Sequence, residues 1–80
     1  MNRYTMRFYD HHGKVVKSIK ADSRDAAMIS ADFYMKASEA GYAYTHIQRC
    51  TLYHRSAVVA RKHVNGTWIK RRGNEWEVEA

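Results

Sequence analysis

The sequence predicts an α+β fold: an antiparallel β-sheet of four to six strands with one α-helix packed on a face, in the order β-β-α-β-β-β. Three observations predict it. Residues alternate from Arg3 to Tyr9 with the period of a half-buried strand, helical spacing is confined to Ser23–Ala40, and every segment after Gly41 carries strand signals. At 80 residues, 45% of them apolar, the chain is expected to form one domain, residues 1–80, around a single core.

In the first strand Tyr4, Met6 and Phe8 share one side, and Arg3, Thr5, Arg7 and Tyr9 the other. Asp10-His11-His12-Gly13 reads as a turn, and Lys14 to Lys20 as the returning strand, with a facing that either phase leaves ambiguous. Asp22 or Ser23 can cap the helix, and Gly41 can stop it through a left-handed conformation. At 100° per residue, Ala26, Ile29, Phe33, Ala37 and Ala40 form the stripe expected to face the sheet. Met28, Ala31 and Met35 form a second apolar stripe nearly opposite. It is either covered by a later segment or exposed, in which case Met28 and Met35 mark a protein-contact or homodimer surface.

Thr45 to Arg55, Ala57 to Val64, Thr67 to Arg72 and Glu75 to Glu79 read as strands. Asn65-Gly66 is the residue pair that a type I′ hairpin turn favours, and Gly73-Asn74 marks the next turn. In the last run Trp76 and Val78 face one way and the glutamates the other, where they can pair with Lys70 and Arg72.

Charge is concentrated. Between Gly41 and Gly73 lie seven Arg and Lys, three His and no Asp or Glu, in a chain of net charge +6. Such a field favours polyanions. The candidate binding residues for nucleic acid or an acidic partner are Arg49, Arg55, Arg61, Lys62, Lys70, Arg71 and Arg72, with Tyr53 and Trp68 packing or stacking among them. Tyr44 belongs to the same aromatic set. Lys70-Arg71-Arg72 near a hairpin end could also enter a DNA groove.

No catalytic set is apparent, and the chain reads as a non-enzyme without cofactor or metal. Cys50 lies four residues from both His46 and His54, which in a strand is roughly 13 Å. The histidines and Cys50 match no zinc spacing, and no glycine-rich phosphate loop is present. One cysteine, no signal-peptide pattern and no apolar run of membrane-spanning length predict a soluble protein of the cytosol without a membrane partner.

Two segments carry a resemblance. Lys20-Ala21-Asp22-Ser23-Arg24-Asp25-Ala26 is a strand end leading into an alanine-rich helix, and Val64-Asn65-Gly66-Thr67-Trp68-Ile69 is a hairpin followed by Gly73 and Trp76. From Ile19 to Val78 this frame resembles small phage-encoded proteins, in particular a β-α-β-β type among the type I-F anti-CRISPR proteins. The chain departs from that type in its N-terminal strand pair and its long Thr45–Arg55 segment. The resemblance implies a phage or mobile-element inhibitor that binds an RNA-guided surveillance complex and obstructs hybridisation to target DNA. It assigns no contact residue. Two readings stand: a basic module that binds nucleic acid or a ribonucleoprotein, and a protein-protein inhibitor of a host enzyme that uses the helix or a sheet edge.

Overall fold

Alternation between Tyr4 and Tyr9 does form a strand, β1 (Tyr4–Tyr9), which buries Met6 and Phe8 completely. The computed structural model describes residues 3–41, 46–64, 66–73 and 75–78. After β1, Asp10 organises the turn: its Oδ1 accepts from the backbone N–H groups of His12 and Lys14, each at 2.9 Å, while Gly13 takes φ +80°. These donors, that of Lys14 foremost, hold the Asp10 carboxyl below its usual range. β2 (Val15–Ala21) returns antiparallel to β1. A bulge at Phe8/Tyr9 shifts the pairing from Lys17 to Val15, so Val16 has no partner in the ladder, and both valines stay exposed. That bulge settles the facing of the second strand.

The helix α1 (Arg24–Glu39) begins where the sequence places a cap. Ser23 is extended, and its Oγ accepts from the Ala26 N–H at 3.1 Å. At the other end Gly41 takes φ +77° just past the cap residue Ala40. β3 (Arg49–His54), β4 (Ala57–His63), β5 (Ile69–Arg72) and β6 (Glu75–Val78) follow. The six strands form one sheet in the order β2-β1-β3-β4-β5-β6, with every neighbouring pair antiparallel. Because β2 and β3 both oppose β1, they run parallel to each other, and α1 is the crossover that joins them. The protein is an α+β domain with its helix on one face of the sheet.

The helix packs in the opposite phase to that expected. Its buried residues are Ala27, Met28, Ala31, Met35 and Ser38, whereas Ile29 and Phe33 are 71% and 69% exposed. Met28 and Met35 are therefore core residues and form no protein-contact or dimer surface. Ala27 and Ala31, small side chains, let the helix approach the sheet, and the flexible methionines fill the space over Phe8, Cys50 and Leu52. Asp32 fixes the rotation. Its Oδ1 accepts from Lys62 Nζ at 2.9 Å and from Trp68 Nε1 at 3.2 Å, which ties the helix to β4 and to the segment before β5.

Two turns decide the register of the second half. Arg55 and Ser56 join β3 to β4 with φ of +52° and +73°, the pair of positive values a type I′ turn needs, although neither residue is glycine or asparagine. The expected Asn65-Gly66 turn includes Asn65, which lies outside the described residues. Beyond it Arg61 pairs with Ile69 and Ala60 with Lys70. Gly66 N donates to His63 O at 2.9 Å within the connection between β4 and β5. Gly73 takes φ +63°, and Arg72 pairs with Glu75 across the last turn, whose Asn74 also lies outside the described residues. No helix of the described residues is long and apolar enough to cross a membrane.

Two predictions follow from packing and turn geometry. Met35→Ala should lower stability by about 2–5 kcal/mol, and Phe33→Ala by no more than about 0.5 kcal/mol, in urea unfolding at low micromolar protein. The reverse order would mean that the helix faces the sheet through Ile29 and Phe33. Ser56→Gly should raise stability by about 1 kcal/mol by relieving a left-handed backbone; an unchanged midpoint would show that the turn carries no such strain.

Candidate nucleic-acid interface

Period-two alternation applied through this register sorts the basic residues onto two faces. One face is covered by α1. The other is open, and directly opposed pairs place its residues in rows across the sheet. Ser18, Arg7, Thr51, Arg61, Ile69 and Val78 form one row across all six strands. Val15, Tyr9, Arg49 and His63 form the next, and Lys20, Thr5, Tyr53 and Val58 lie on the other side of the first. Arg71 and Trp76 extend this face onto β5 and β6. Among the described strand residues it carries Arg7, Lys20, Arg49, Arg61 and Arg71 and no Asp or Glu.

The arginines and aromatics of this face hold each other. Arg49 sits 4.1 Å from the Tyr9 ring centre, Arg7 5.0 Å from that of Tyr53, and Arg61 4.9 Å from that of Trp76. Each such contact contributes about 0.5–1 kcal/mol at an exposed site and limits the freedom of a long cation. The Tyr9 and Tyr53 hydroxyls lie 2.9 Å apart in a hydrogen bond. That bond is the main cause pushing the Tyr53 phenol above its ordinary value, and burial adds to it. Thr51, only 6% exposed, lies between Arg7 and Arg61 in the central row, and Arg49 Nη1 donates to its Oγ1 at 3.4 Å. A shallow cavity of about 510 Å³ opens here, lined in part by Arg49, Thr51, Tyr53, Arg61, His63 and Ile69.

Of the expected site residues, Arg49, Arg61, Arg71 and Tyr53 come together on the open face. The others do not. Lys62 and Trp68 belong to the helix side, where both donate to Asp32, and Trp68 is buried. They act as a tether between layers and are unavailable for stacking. Lys70 and Arg72 also point to the helix side, opposite Glu77 and Glu75, with Arg72 Nη1 3.8 Å from Glu77 Oε1. Arg55 occupies the β3–β4 turn at the rim of the sheet. Tyr44 lies outside the described residues, as does Glu79.

Sequence reasoning missed Arg7, Tyr9 and Trp76 as site residues. Alternation in β1 already puts Arg7 and Tyr9 on one side, and that in β6 sets Trp76 apart from the glutamates. The missing information was that β1 pairs with β3, which brings distant basic segments into one row.

Cys50 is fully buried on the helix side, and removal from water pushes its thiol up to about 12. Its reactive thiolate is therefore suppressed, and His54 stacks on Tyr4 with ring centres 4.5 Å apart. Among the described residues no cluster of three or more His, Cys, Asp or Glu could hold a metal ion. No protein-family model, curated protein or solved structure matches the chain.

Cys50 should react with a thiol reagent in native protein at mildly alkaline pH only as fast as the fold opens, and at once in denaturant. Immediate native-state labelling would contradict its burial. Asp32→Ala should lower stability by about 1–2 kcal/mol, because it leaves the Lys62 ammonium and the Trp68 N–H without their shared acceptor. A smaller loss in Asp32→Ala made on a Lys62→Met background would confirm the coupling in the same unfolding assay.

Proposed function

We propose that this chain is a small non-enzymatic binding protein that holds single-stranded nucleic acid, free or within a ribonucleoprotein, against the open face of its sheet. The observation that carries this reading is the open face itself, whose described strand residues include no Asp or Glu and on which arginines are interleaved with Tyr9, Tyr53 and Trp76. Arginines can neutralise phosphates, and the exposed Trp76 ring and the guanidinium planes, which the buried Tyr9 helps to hold in place, offer stacking surfaces to unpaired bases. An open sheet suits splayed bases better than a duplex, whose bases are already stacked within the helix. An RNA-guided complex of the kind indicated by the anti-CRISPR resemblance would present such a strand, and a phage inhibitor acting there is the more specific form of the same proposal.

The test is fluorescence anisotropy with labelled single-stranded DNA, RNA and duplex over a range of salt. Binding should favour a single strand and weaken steeply with salt. Arg61→Ala should reduce the slope of log K against log salt by about 0.7, the value for one phosphate contact on a single strand. Arg72→Ala, on the other side of the sheet, should leave the slope nearly unchanged. Equal slopes for Arg61→Ala and wild type, or no binding at low salt, would overturn the assignment.

A further inference from the structure

We propose that the outer face of α1 is a self-association surface on which a second copy of this chain docks in antiparallel register. The helix turns Ile29 and Phe33 to solvent, at 71% and 69% exposure, with Ala26 exposed beside them. At 100° per residue these three side chains fall within an arc of about 60°, a continuous apolar seam along the helix. Isolated exposed apolar residues are ordinary on a small protein. An aligned isoleucine and phenylalanine on the centre of a 16-residue helix is instead a packing surface.

Charge on the rim of the seam selects the occupant. Asp25 lies in the first turn and Lys36 in the last, and neither has an ion-pair partner among the described residues. By the helical angle both lie on the same flank of Ile29. In a two-fold antiparallel pair, setting Ile29 against Phe33 of the other copy puts the axis level with Ala31. Setting Asp25 against Lys36 puts it between Ser30 and Ala31, a difference of about 0.75 Å along the helix. One axis therefore satisfies the apolar and the charged contacts together, and it forms each of them twice, as a self-complementary interface does. A parallel two-fold pair would put the two Asp25 side chains, and likewise the two Lys36 side chains, on opposite flanks of the seam and would form neither charged contact. The open sheet faces lie on the far side from α1, so docking leaves both of them exposed and pointing outward.

The test is sedimentation velocity on the full chain from low micromolar to several hundred micromolar protein. Wild type should shift from the 9.4 kDa monomer to twice that mass as concentration rises. Ile29→Lys should remain monomeric with an unchanged circular dichroism spectrum. Asp25→Lys and Lys36→Asp should each weaken the dimer about tenfold, since each opposes like charges twice. An equimolar mixture of these two variants should recover association, because every rim contact is then attractive. A wild-type chain that stays monomeric throughout would overturn the proposal, as would a dimer insensitive to Ile29→Lys.

Discussion

A side chain in a strand alternates between two faces, so the cross-strand register decides which cations of this chain can act together. Arg61 opposite Ile69 is the pairing on which most depends. It places Ile69 and Arg71 on the open face with Arg61, and sends Lys70 and Arg72 to the side of the helix and of Glu75 and Glu77. A slip of one residue in β5 would exchange the two sets. The open basic face, with its arginines lying over tyrosine and tryptophan rings, follows from this register and from the coverage of the other face by α1.

The helix contributes by how it is anchored. Met28, Ala31 and Met35 supply the apolar contact, and Asp32 adds direction by accepting from Lys62 and Trp68 on neighbouring parts of the sheet. This tether engages the half-buried Lys62 with Asp32 and buries Trp68 on the helix side. It also fixes which side of α1 remains outside, and so exposes Ile29 and Phe33. If two helices pair there, each dimer carries two outward basic faces. Binding to one long strand or to adjacent complexes would then gain from a raised effective concentration, provided that the ligand spans both faces.

Much of the fold was legible in the sequence. The β1 alternation, the Ser23 cap, the Gly41 stop and the separation of Trp76 from the glutamates all have direct local causes. Less legible was the helix phase: both stripes are apolar, and what separates them is the long-range contact of Asp32 with Lys62 and Trp68. Local chemistry gave no sign of the β3–β4 turn, because Arg55 and Ser56 take positive φ although neither is glycine or asparagine. The basic residues were found by composition alone, but their partition required knowing which strands are neighbours. Arg7 and Tyr9, some forty positions before Arg49 and Thr51, join the site only through the β1–β3 pairing.

Binding through the open sheet face is tested most directly by a nuclear magnetic resonance titration of isotope-labelled protein with a short single-stranded oligonucleotide. Shifts should concentrate at Arg7, Arg49, Thr51, Arg61 and the Trp76 indole, with the Trp68 indole and the helix nearly unmoved. Shifts confined to Arg24, Lys70, Arg72 and the helix would contradict it, and would place binding on the covered side of the sheet.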